Sequence, residues 1–178
     1  DSMIYSDGAG ATIIEATDDE GGILAHESAT FSFDESKFLY FGNSFSKEED
    51  PNIRYIKMYG RKIYEFALSN VPKAMASCLE KSGIAITDVK KILIHQANEK
   101  MDEAIINRFY KLFKMETPAG IMPMSIHKLG NSSVATVPTL YDLIVNGELE
   151  GQSLNKGDVI IFASVGAGMN INAIVYQM

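Results

Sequence analysis

A chain of 178 residues, 46% hydrophobic and 22% charged, is long enough and apolar enough for one domain with its own core. Its formal net charge of -7 argues against nucleic-acid binding, which uses clustered basic surface, and against docking on an anionic membrane. The single cysteine, Cys78, excludes an intrachain disulfide and fits a reducing, cytoplasmic compartment, and no apolar run approaches the ~20 residues that span a bilayer.

The first residues carry no signal-peptide pattern, and the chain opens abruptly on a strand-like Met3–Tyr5, as expected of a fragment of a longer protein. Ser6 to Gly10 is a small-residue turn, and the apolar run Ala11 to Ala16 reads as a second strand. After a polar loop, Ile23 to Phe33 alternates as a strand does. Residues 34–54 read as irregular, with a solvated charged run at Lys47-Glu48-Glu49-Asp50.

A long helix follows, because Ile63, Phe66, Ala67, Val71, Ala74, Met75, Cys78 and Leu79 recur at helical spacing. Pro72 is expected to kink it and Gly83 to stop it. Ile92 to Ile94 reads as a buried strand ending at His95. Asn98 is expected to cap the next helix, whose inner face is Met101, Ala104, Ile105, Phe109, Leu112 and Phe113. Ile121 to Ser125 reads as short and extended, Gly130-Asn131 as a turn, and a further helix starts at Ser132 or Ser133 and runs to about Asn146. Asp158 to Ala163 is a buried strand, Gly166-Ala167-Gly168 a tight turn, and Met169 to Tyr176 a returning strand. Alternating helices and strands make the fold class α/β, a mixed sheet flanked by helices and closed by a hairpin.

Three places could carry chemistry. His95 lies where a buried strand runs out, the end at which α/β sheets bind ligands. Asn131 sits in a Gly-Asn-Ser-Ser turn before a helix, and small residues at 166–168 let a substrate approach backbone N–H groups. Each also reads as ordinary structure: a polar residue after a strand, a turn, a hairpin.

Their order and spacing decide between the readings. Ser6-Asp7-Gly8-Ala9-Gly10-Ala11, His95-Gln96-Ala97-Asn98, Gly130-Asn131-Ser132-Ser133-Val134-Ala135-Thr136-Val137-Pro138, and Gly157-Asp158 through Gly166-Ala167-Gly168 together resemble the C-terminal half of the β-ketoacyl-acyl carrier protein synthase III family. The resemblance covers nearly the whole chain and is weakest over residues 34–54. It implies one half of a thiolase-like fold over residues 1–178, an acyltransferase whose nucleophilic cysteine belongs to an N-terminal half absent from this sequence. It implies that an acyl group moves from coenzyme A to that cysteine, and that a malonyl thioester on acyl carrier protein loses carbon dioxide and attacks it.

In that chemistry His95 Nε2 and the Asn131 amide would donate to the enolate oxygen, and the backbone N–H of Ala167 would face the tetrahedral intermediate. Gly60, Tyr64, Ala97 and Asn98 match positions along the phosphopantetheine channel, and Tyr64 reads equally well as an ordinary amphipathic helix residue. Lys100 matches a basic position that docks acidic acyl carrier protein, with Arg108, Lys111 and Lys114 extending the patch along the helix and Asp102 and Glu103 diluting it.

Cys78 is late in its helix on the apolar stripe and reads as structural; His26, in a polar loop, and His127 read as structural or surface residues. Three scattered histidines and one cysteine give no metal-ligand spacing, and no cofactor is implied beyond the two thioester substrates. The partners implied are acyl carrier protein, acyl-coenzyme A, the chain's own N-terminal half and a second copy in a homodimer. A condensing enzyme of polyketide or other secondary metabolism, and a non-catalytic partner subunit, are the competing readings.

Overall fold

Three consecutive residues, Val159, Ile160 and Ile161, are all buried, which requires cover on both faces of their strand. The computed structural model, which describes residues 4–18 and 20–178, supplies that cover. Strands β1 (Gly22–Thr30), β4 (Val89–Ile94), β5 (Val159–Gly166) and β6 (Asn170–Gln177) form one sheet in the order β1-β6-β5-β4. β4 pairs with β5 in parallel, with Ile92 opposite Ile161 and Ile94 opposite Ala163. β5–β6 and β6–β1 are antiparallel, so the sheet is mixed and closes on the expected hairpin.

Side chains alternate across the sheet. Ile92, Ile94, Ile161, Ile171, Ala173 and Val175 pack in one cluster with α1 (Gly60–Ser82) and α2 (Glu99–Leu112). Leu93 and Ile160 point the other way and pack on Leu140 and Ile144 of α4 (Thr136–Val145). The architecture is therefore helix, sheet, helix. Cys78 belongs to the first cluster, its thiol directed at the Ala173 carbonyl at 3.4 Å, and burial raises its pKa.

Several expectations need correction. Met3 lies outside the described residues; Ile4 is in a turn and Tyr5 makes one isolated parallel bridge, to Asn131. Ala11 to Ala16 forms no strand. No described strand runs beside it, and Ile13 and Ile14 are 94% and 76% exposed, so an apolar sequence without a ladder partner stays extended coil. Residues 34–54 are not wholly irregular: β2 (Leu39–Gly42) pairs antiparallel with β3 (Tyr55–Met58) in a separate two-stranded sheet. His26 is on β1 opposite Ile174, not in a loop.

α1 runs unbroken through Pro72. Proline removes the N–H that would serve the carbonyl four residues back. That carbonyl belongs to Leu68, and the Arg108 guanidinium donates to it at 3.2 Å. Asn98 caps α2 as expected, its Oδ1 accepting from the Met101 N–H at 3.2 Å. Lys114 is not on α2: the chain turns left-handed there (φ 58°), with its N–H donating to the Lys111 carbonyl. Residues 121–125 are bends and coil. They lead into a one-turn helix, α3 (Ile126–Leu129). Ser133, at φ 56°, opens only a short 3₁₀ turn to Ala135, and the α-helix α4 begins at Thr136.

Candidate active site

The parallel ladder carries His95 one residue past β4, where its N–H still donates to the Ala163 carbonyl at 2.9 Å. The imidazole is thereby held at the strand end that the topology leaves open. Its Nδ1 is 3.2 Å from the Ser133 carbonyl oxygen. A carbonyl only accepts, so Nδ1 carries the proton here and a neutral ring presents Nε2 as a lone pair. Donation from Nε2 requires the other tautomer or the protonated ring. Burial lowers the His95 pKa, and the Ser133 contact opposes this more weakly, so the ring is neutral near pH 7.

Asn131 is pinned from three sides. Its N–H donates to the Ile4 carbonyl at 2.9 Å, its carbonyl accepts from Ser6 N–H at 3.0 Å, and its Oδ1 accepts from Ser133 N–H at 2.9 Å. Among the described residues its Nδ2 has no hydrogen-bond partner, so both amide hydrogens remain available. The glycine-rich stretch explains how the opening segment comes so close. A Cβ on Gly10 would lie 2.5 Å from Pro138 Cγ, and one on Gly8 would lie 2.8 Å from Ser132 Cβ.

His95 and Asn131 line one cavity of about 460 Å³, together with Ala97, Ser133, Phe162 and Ala167. Leu39 and Met58, facing each other across the β2–β3 ladder, and Ile63 of α1 add apolar wall. At the turn after β5, Asn170 Nδ2 donates to the Ala167 carbonyl at 2.7 Å, and Thr30 Oγ1 donates to Asn170 Oδ1 at 2.6 Å. The left-handed positions are Gly168 (φ 75°) and Met169 (φ 51°), not Ala167, so alanine fits its place without strain.

Of the other candidates, Gly60, Tyr64, Asn98 and Lys100 lie outside the cavity walls. Gly60 is the first residue of α1, and Tyr64 follows the lining residue Ile63 by one position, about 100° further round the helix. Lys100 is exposed on the first turn of α2. Arg108 is exposed, with one guanidinium N–H donating to the Leu68 carbonyl across the α1–α2 groove. Asp102 does not dilute the patch. Its carboxyl is fully buried with no hydrogen bond of normal geometry, and desolvation, only partly opposed by the nearby Asn98 backbone, pushes its pKa up to about 8, so the neutral form is favoured at pH 7. Among the described residues no group of three or more His, Cys, Asp or Glu gathers as metal ligands, and no helix is long and apolar enough to cross a membrane.

Sequence reasoning missed Ser133, Asn170 and the Leu39–Met58 wall. It also missed Gln96, buried behind His95. The β-branched and aromatic content of Leu39-Tyr40-Phe41 and Tyr55-Ile56 was the available signal for the wall.

Residues 79–178 match the family model described as 3-oxoacyl-[acyl-carrier-protein] synthase III C terminal. The chain belongs to that family. The 3-oxoacyl-acyl carrier protein synthase III relatives include β-ketoacyl-[acyl-carrier-protein] synthase III of Oenococcus oeni, 31% identical over 180 aligned positions that cover 99% of this chain and 52% of that protein. The Bacillus pumilus protein of the same name is 30% identical over 176 residues, 99% of this chain and 50% of its own. The chain spans about half the length of the curated relatives it matches. Among solved structures, the synthase III of Thermus thermophilus superposes with a TM-score of 0.74 at 20% identity, covering 93% of this chain and 49% of that one. The Aquifex aeolicus synthase III gives 0.71 at 24%, covering 92% and 46%. These likenesses show the shared thiolase-like fold.

Proposed function

We propose that this chain is the C-terminal catalytic half of a 3-oxoacyl-acyl carrier protein synthase III that condenses malonyl-acyl carrier protein with an acyl-coenzyme A primer. The observation that carries the reading is the convergence of His95 and Asn131, 36 positions apart, on one cavity. In the first step the bond between the malonyl carboxylate and Cα breaks, carbon dioxide leaves, and the electron pair passes into the thioester as an enolate. Asn131 Nδ2 donates to the enolate oxygen. His95 adds a second donor as its Nε2–H tautomer, once the Ser133 carbonyl has turned from Nδ1. The enolate Cα then attacks the acyl-cysteine carbonyl supplied by the N-terminal half, and the cysteine thiolate leaves as the C–S bond breaks. The Ala167 N–H faces that second oxyanion.

Gly60, Tyr64, Ala97 and Asn98 belong to the approach of the phosphopantetheine arm, and Lys100 to the docking of acidic acyl carrier protein. The same reading has the enzyme work in the cytoplasm as a homodimer. Exposed Ile13, Ile14 and Phe33 support an opposing half that covers them.

The test is to assay the full-length enzyme with malonyl-acyl carrier protein and short acyl-coenzyme A primers, beside His95→Ala and Asn131→Ala. Each variant is expected to lose decarboxylation by roughly 10²–10³-fold, the cost of one oxyanion donor. No condensation with any short primer counts against the enzyme and favours a non-catalytic partner subunit. Wild-type decarboxylation by His95→Ala removes that residue from the mechanism.

A further inference from the structure

The side chain next to His95 points away from the cavity, into the protein. Gln96 is fully buried, and its carboxamide is satisfied four times. Nε2 donates to the Pro123 carbonyl at 2.8 Å; Oε1 accepts from Ser125 N–H at 2.8 Å, Ile126 N–H at 2.9 Å and Ser125 Oγ at 3.3 Å. Ile126 opens α3, and the Ser125 side chain makes no cap hydrogen bond to that helix. The backbone donors that a helix start leaves unpaired are therefore served by a residue 29–30 positions away.

One turn later Gly130 N–H closes on the Ile126 carbonyl at 2.9 Å, and the next residue is Asn131. At the other end of the clamp, the Gln96 backbone follows His95, whose own N–H is locked to β5. The two side chains that share the cavity are thus tied by one buried carboxamide through a single helical turn.

We propose that Gln96 is a positioning residue that sets Asn131 against His95 for decarboxylation, acting through α3. The inference rests on the decarboxylation reading above. A donor must meet the developing oxyanion within a fraction of an ångström, and a misplacement near 1 Å can cost ~10²-fold. Gln96 touches no reacting atom, so its whole effect passes through Asn131.

The test is a double-mutant cycle in the full-length enzyme. Gln96→Met keeps the volume and removes all four hydrogen bonds. It is expected to lower kcat for malonyl decarboxylation roughly 10–100-fold with KM within about twofold, and to leave transfer of the acyl group to the cysteine unchanged. In the Asn131→Ala background the same change is expected to add less than about twofold, because the group it positions is gone. Gln96→Glu keeps the acceptor and can donate to the Pro123 carbonyl only when protonated. Its loss is expected to be smaller, about threefold to tenfold, and equally absent in the Asn131→Ala background, and it carries the cycle should Gln96→Met not fold. The same fold loss in both backgrounds, a parallel loss of acyl transfer, or a wild-type kcat overturns the proposal. Wild-type decarboxylation by Asn131→Ala overturns the underlying reading instead.

Discussion

The Nδ1 nitrogen of His95 lies 3.2 Å from the carbonyl oxygen of Ser133. The N–H of the same Ser133 donates to Asn131 Oδ1 at 2.9 Å, so one residue in left-handed backbone holds both candidate catalytic side chains. It leaves the amide hydrogens free, and for as long as its carbonyl faces Nδ1 it keeps the proton of the neutral ring on the side away from the cavity. The two contacts make the protonation of His95 the property that decides what the site does.

Burial holds the imidazole pKa below its ordinary value of 6.5, so the neutral ring predominates at neutral pH. On the proposed mechanism, in which the neutral ring donates as its Nε2–H tautomer, decarboxylation is expected to stay flat across neutral pH. The check is kcat against pH for the full-length enzyme, with Asn131→Ala as a background that removes the partner donor. A rate that instead falls as pH rises through the imidazole range would assign the work to the imidazolium, with Nδ1–H on Ser133 and Nε2–H on the enolate.

The sheet and the two long helices were legible because their signals are local. Consecutive buried aliphatics at 159–161 and helical spacing from Ile63 to Leu79 depend on nothing distant. His95 and Asn131 were legible as motifs. What was not legible depends on residues remote in sequence. β2 and β3 are joined by a long loop holding a charged run, with no two-residue turn to announce a hairpin. The Gln96 clamp closes on backbone atoms 27–30 positions away. Asp102 reads as one more charge on a polar helix face until the packing of α2 buries it.

Gly10→Ala is expected to destabilise the packing of the opening segment. The new Cβ meets Pro138 Cγ at 2.5 Å, and the proline ring in α4 cannot swing aside, so overpacking of ~1–3 kcal/mol is expected. Hydrogen exchange at the Ser6 and Asn131 amides, which pair this segment with the asparagine turn, is expected to quicken. Gly60→Ala is the control, since nothing lies within 4 Å of its added Cβ. Unchanged exchange in Gly10→Ala would mean that the segment does not hold the turn.

Asp102 makes stability depend on pH. Its folded pKa is raised from 3.8 to about 8, so the native state holds a proton that the unfolded chain releases. The contribution is complete below the unfolded value and is lost as pH rises toward about 8. Asp102→Asn cannot titrate, and its unfolding free energy is expected to fall less than that of the parent between about pH 5 and about pH 8. Denaturant unfolding at the two pH values checks this. Parallel pH profiles would show that the buried carboxyl has found a partner.

Arg108 and Pro72 form a coupled pair through an atom belonging to neither. Proline leaves the Leu68 carbonyl without its helical donor, and the Arg108 guanidinium takes the place of that donor at 3.2 Å. Arg108→Ala alone orphans the carbonyl and is expected to cost ~0.5–1.5 kcal/mol. In Pro72→Ala the helix can serve Leu68 from its own backbone, so Arg108→Ala is expected to cost markedly less there. Chemical denaturation of the four proteins gives the coupling. Equal costs in the two backgrounds would return Arg108 to the free basic residues of α2, available to an acidic partner.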